Sequence, residues 1–143
     1  MFNRKDAKVS CRMVDFDRDK LNNLSREILD ACICVHKEVG PGLLESVYEY
    51  ALLKEFEIRN IRAVNRIGLE LFYKGLATGK FYEIDILVED EVIIELKAVD
   101  TMHPVFDAQI ISYLRLSNKR LGFLVNFNVP KLKEGFKRFV NNF

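Results

Sequence analysis

Cysteine, proline and histidine are scarce in this 143-residue chain, and tryptophan is absent. The three cysteines, Cys11, Cys32 and Cys34, form an odd set without Cys-x-x-Cys spacing, which argues against a disulfide framework and a zinc site. Cys32 and Cys34 fall inside a helical pattern and read as small core residues. No apolar run approaches the roughly 20 residues of a membrane-spanning helix, so no membrane partner is expected. The opening MFNRKDAKVSCRMVDFDRDK lacks the apolar core of a secretory signal, and a cytoplasmic location is expected. Net charge is only +1, so no global basic field advertises a polyanionic partner. Internal repeats and low-complexity tracts are also lacking. What is present, about half hydrophobic and 30% charged, suits a single globular domain with a real core.

Residues 1–20 are charged and weakly patterned, and read as a loose N-terminal arm before a domain over 21–143. From Leu21 the apolar residues recur at Leu24, Ile28, Cys32, Val35 and Val39, which predicts a helix ended by Gly40-Pro41-Gly42. A second helix is expected from about Leu43 to Glu57. The pattern then turns strand-like in AVNRIGLELFYKG, KFYEIDILV and VIIELKAV, with Gly75, Thr78 and Gly79 marking a turn. Pro104 suits a first helical turn, predicting a helix over Val105–Leu116. LGFLVNF reads as a short buried strand, and Pro130 as the opening of a last amphipathic helix with Leu132, Phe136 and Phe139 inward. That last segment, KLKEGFKRF, carries its basic residues on a face that is either solvated or set against phosphate. The order α-α-β-β-β-α-β-α implies an α/β fold with a mixed four-stranded sheet flanked by helices.

Within VIIELKAV, Glu95 and Lys97 sit two apart on an otherwise apolar strand, and so share a face. Charge in such a setting must be paired, hydrogen-bonded or placed on a metal. The preceding strand carries Asp85 in equally apolar company. A two-residue turn between the strands would set Asp85 opposite Ile94, whereas the three-residue turn Glu89-Asp90-Glu91 sets it opposite Glu95; the longer turn is expected. Two carboxylates so close repel unless one takes a proton or a cation lies between them. With no nearby His or Cys, hard oxygen ligands favour Mg²⁺ or Mn²⁺. Lys97 would orient a phosphate and a water beside such an ion. The tripeptide alone discriminates little, since twelve Glu and twelve Lys in 143 residues give about one Glu-x-Lys by chance. The plain alternative is a salt bridge at a sheet end.

Four ordered segments, GPGLLESVYEYAL, YEIDILVEDEVIIELKAV, DAQIISYL and LGFLVNF, together resemble the bacterial GxxExxY proteins of the PD-(D/E)XK nuclease superfamily. The resemblance spans roughly residues 21–140 and implies a restriction-endonuclease-like fold. It implies metal acids at Asp85 and Glu95 and a catalytic lysine at Lys97. Gly42, Glu45 and Tyr48 match the family's name motif, with Glu45 as a further acid near the metal. Gln109 and Tyr113 match the Gln-xxx-Tyr element of exonuclease-type branches. Ile84 stands where many members have a proline before the first metal acid; Glu83 is a spare acid on the same face as Asp85. No iron–sulfur cluster is expected, because no cysteine follows Cys34.

Plainer roles compete at several positions. Tyr48 lies on a buried stripe and suits a core residue with a satisfied hydroxyl. Glu45 at a helix start suits the positive end of the dipole. Gln109 and Tyr113, four apart, suit a polar rim. His36 reads as structural and His103 as a helix cap. Two functions follow. One is a metal-dependent nuclease hydrolysing phosphodiesters, with DNA favoured; the other is a non-catalytic module binding nucleic acid or protein on a nuclease-like fold. A homodimer would be a way to build a basic cleft from two subunits.

Overall fold

The computed structural model describes residues 17–143. Most of the expected N-terminal arm, with Cys11, lies outside the described residues. Its last residues are already helical: Asp17 accepts a hydrogen bond from the Lys20 amide at 3.0 Å and so caps helix α1 (Arg18–Val39). The apolar stripe of α1 buries Leu21, Ile28, Ala31, Cys32 and Val35. The helix stops at Gly40, whose φ of 72° lies where a side chain would be strained. Helix α2 (Glu45–Ile58) follows and buries Tyr48, Leu52 and Phe56 against the same core.

Three antiparallel strands come next: β1 (Ala63–Tyr73), β2 (Leu76–Val88) and β3 (Val92–Lys97). Helix α3 (Pro104–Ser117) crosses over to β4 (Leu121–Asn126), which runs parallel to β3. The sheet order is β1-β2-β3-β4-β5. Helices α1 and α2 share the core on one side of the sheet, with Ile86, Ile94, Leu96 and Phe123. Helix α3 packs Ile110 and Leu114 on the other, with Ile93 and Leu124. No helix among the described residues is long and apolar enough to cross a membrane.

The chain departs from the sequence-based expectation at its C-terminal end. Residues Phe136–Val140 form a fifth strand, β5, antiparallel to β4, after a short 3₁₀ turn at Leu132–Gly135. The sheet therefore has five strands and the final helix does not exist. Phe136 and Phe139, three apart, would share a helix face, but on a strand they point oppositely, and both directions are covered. Phe136 stacks on Phe123 at 4.7 Å in the α1–α2 core, whereas Phe139 joins the α3 side. Gly135 makes the turn tight: a Cβ there would lie 2.1 Å from the Asn126 carbonyl oxygen. The basic residues of this stretch are split by the strand, and Lys137 pairs with Asp107 at 2.6 Å.

Candidate active site

The β2–β3 turn has the odd length that the register requires. Glu89 and Asp90 adopt φ of 50° and 58°, the Glu91 amide bonds to the Val88 carbonyl at 2.9 Å, and Val88 pairs with Val92. The paired ladder continues through Leu87–Ile93 and Ile86–Ile94 and then ends. Asp85 and Glu95 occupy the next rung, and there side chains replace the backbone partners. The Asp85 amide donates to Glu95 Oε1 at 3.2 Å, and the Leu96 amide donates to Asp85 Oδ2 at 2.8 Å. Each carboxylate thus satisfies a backbone donor that strand divergence would otherwise orphan. Across this rung β2 also changes the face it presents, since Ile84 joins the α3-side cluster and Ile86 the opposite one.

The cost of this arrangement is electrostatic. Glu95 is 5% exposed, and burial followed by the adjacent Asp85 charge pushes its carboxyl up to about 8. Asp85 is also raised, by burial first, with the Leu96 amide, Glu95 and Lys97 pulling it back. The pair therefore favours one shared proton near neutral pH. Lys97, two residues beyond Glu95, sets its Nζ 4.3 Å above the Phe106 ring of α3. No ion pair within 4 Å joins it to either acid among the described residues, so the plain salt bridge is not what occupies this sheet end.

The other expected residues surround the pair unevenly. Glu45 opens α2 and lies within electrostatic reach of Asp85 and Lys97; its carboxyl is raised by lost solvent first and Asp85 second. Gln109 donates to the Tyr113 hydroxyl at 2.9 Å on α3, and Tyr113 stacks on Tyr82 of β2 at 4.8 Å. The Tyr113 phenol is raised by burial first and next by Glu95, which sets this pair at the rim of the acids. Tyr48 does not join them. Its hydroxyl donates to the Gly40 carbonyl at 2.6 Å and accepts from the Leu43 amide at 3.2 Å, while its ring stacks on Phe127 at 4.5 Å. It is a fully buried pin for the Gly40–Leu44 loop. His103 caps α3, its Nδ1 accepting from the Val105 amide at 3.1 Å, and His36 Nε2 donates to the Val129 carbonyl at 2.8 Å.

Among the described residues no three His, Cys, Asp or Glu side chains close into a ready-made metal cage. The donor set nonetheless fits a hard divalent cation. Two carboxylates already share a rung, their repulsion is relieved by positive charge, and Mg²⁺ characteristically keeps solvent for its remaining ligands.

Three residues near the site escaped the sequence reading. Glu49 is buried one helical turn after Glu45 and holds Asn65 Nδ2 at 2.8 Å and Arg66 Nε at 3.1 Å. Arg66 has a φ of 54° in mid-strand, a left-handed conformation that costs a non-glycine residue about 1–2 kcal/mol. The i, i+4 spacing of Glu45 and Glu49 was a readable signal, whereas nothing in NRIG announces a left-handed arginine.

A family model for the PD-(D/E)XK nuclease superfamily matches residues 22–139. No curated protein and no solved structure matches the chain. The five-stranded mixed sheet with helices on both faces is consistent with a restriction-endonuclease-like fold. By the span of that match the chain belongs to the PD-(D/E)XK nuclease superfamily.

Proposed function

We propose that this protein is a Mg²⁺- or Mn²⁺-dependent nuclease of the GxxExxY type that hydrolyses DNA phosphodiesters in the cytoplasm. The observation that carries the reading is the rung where Asp85 and Glu95 leave the β2–β3 ladder together, with Lys97 on the same face two residues on. Asp85 and Glu95 would hold the cation, with Glu45 contributing from the α2 side. When bound, the cation polarises a phosphate oxygen and acidifies a water that it holds.

The protein's own groups supply the rest. Backbone amides of Asp85 and Leu96 fix one oxygen of each carboxylate, so the acids are preorganised rather than free to rotate. Glu95, whose carboxyl burial and Asp85 hold protonated, would release that proton to solvent on holding a cation, so that both acids could serve as ligands. Lys97, steadied over Phe106, brings a fixed positive charge to the phosphate as negative charge grows there. Gln109 and Tyr113, already joined by a hydrogen bond, offer a donor and an acceptor to solvent or to the sugar–phosphate backbone.

The test is cleavage of single- and double-stranded DNA and of RNA, with Mg²⁺ or Mn²⁺, by the wild type and by the D85A and K97A variants. The wild type should cut in the presence of metal, and both variants should fall by at least about a hundredfold while remaining folded. Cutting that survives in folded D85A would refute the assignment. A folded wild type that binds nucleic acid yet never cuts it would favour the non-catalytic module instead.

A further inference from the structure

The acids at the rung leave an electrostatic difficulty for any phosphate that approaches them. Glu45 and Glu95 each lie within electrostatic reach of Asp85, and the single charge of Lys97, 4.3 Å above the Phe106 ring, stands against three carboxylates. A polyanion needs a further positive contact on the solvent side. Arg66 is placed to provide it. The β1–β2 register pairs Asn65 with Ile86 and Ile67 with Ile84, so Arg66 stands across the strand from Asp85.

Its side chain is held and yet open. Glu49, buried on α2, takes the Arg66 guanidinium through Nε at 3.1 Å and Nη2 at 3.5 Å. Asn65, the neighbouring residue, binds the same Glu49 oxygen at 2.8 Å. The Arg66 side chain remains 60% exposed, and its Nη1 makes no hydrogen bond with the described residues. Nη1 and the outer edge of the fork are therefore available to an oxyanion while the inner edge is fixed. Arg66 makes this contact with Glu49 from a left-handed backbone, φ 54°, in the middle of a strand. A surface arginine with no task would not need a strained backbone and a buried carboxylate to hold it.

From this placement we infer that Arg66, held by Glu49, forms a binding subsite for a backbone phosphate of the nucleic-acid strand lying across Asp85 and Glu95. The nature of the ligand rests on the nuclease reading; the subsite itself rests on β1 and α2. Arg66 is a binding residue, touching the phosphate. Glu49 is a positioning residue, acting through Arg66.

The experiment is fluorescence anisotropy of a labelled oligodeoxynucleotide against the full chain, with Ca²⁺ replacing Mg²⁺ so that binding is read without cleavage, across a salt series. The R66Q variant should bind about tenfold more weakly and lose about one from the slope of log affinity against log salt. R66K should recover much of the slope but less of the affinity, since a lysine cannot fork. E49Q should weaken binding while keeping the wild-type slope, an effect that a merely structural role for Glu49 in a folded variant would not produce. Thermal melting in the same buffer confirms that each variant is folded. Unchanged affinity and slope in folded R66Q, or a wild type that does not bind the oligonucleotide, overturns the inference. A wild type that binds through Arg66 but does not cut would refute the nuclease reading and leave the phosphate subsite standing.

Discussion

Replacing Glu95 by glutamine should stabilise the metal-free protein at alkaline pH, although it removes a residue of the candidate site. The amide keeps an oxygen for the Asp85 N–H and gains an N–H that donates to the Asp85 carboxylate, as the protonated acid does. The folded state holds Glu95's proton up to about pH 8, whereas the unfolded chain releases it near 4.5. Between those values the folded form binds more protons, so wild-type stability falls as pH rises through that window. Carried to pH 8, the difference amounts to roughly 4 kcal/mol as a ceiling, from about 1.4 kcal/mol per pH unit. Opening of the rung around the charge lowers the realised value. A gain of at least about 1 kcal/mol at pH 8, or roughly 3–6 °C in melting temperature, is expected for E95Q, shrinking to near zero at pH 4.5. Thermal melting at both pH values with EDTA present measures it. A glutamine variant equally or less stable than wild type at pH 8 would refute the repulsion on which the reasoning depends.

Other perturbations reach the frame rather than the acids. Tyr48→Phe should cost about 1–2 kcal/mol in chemical denaturation, because the half-buried Gly40 carbonyl and the amide of exposed Leu43 both lose the hydroxyl that joins them to the core. Gly135→Ala should lower the melting temperature sharply, by at least about 2 kcal/mol of stability, since the new methyl meets the Asn126 carbonyl; a neutral substitution would mean that the turn into β5 is not as tight as described. Phe106→Leu removes the ring beneath Lys97 and should reduce metal-dependent cleavage about tenfold with a smaller loss of stability.

Much of this arrangement was legible because it rests on short-range rules. The period of Leu24, Ile28, Cys32 and Val35 and the Gly40 stop give α1, and Pro104 after His103 gives the start of α3. Parity alone linked Asp85 to Glu95, since only an odd turn brings them to one rung, and Val88 does pair with Val92. What stayed hidden depends on tertiary partners. Phe136 and Phe139 carry a spacing that suits a helix, and only the presence of apolar surface on both sides of β4's neighbour makes them a strand. Arg66 is hidden for another reason: its left-handed backbone is sustained by Glu49 and Asn65, a contact seventeen residues away that no local pattern encodes. The role of Tyr48 was readable in its apolar neighbours, and its hydroxyl is satisfied by its own helix's leading loop.

Calorimetric titration of Mn²⁺ into the wild type and the D85N variant, repeated in two buffers of different ionisation enthalpy, is the most direct test of the paired acids. One site is expected in the wild type, releasing close to one proton at pH 7 as Glu95 ionises, and none of comparable affinity in D85N. Binding that persists unchanged in D85N, or that releases no proton in the wild type, would contradict a cation shared between Asp85 and Glu95.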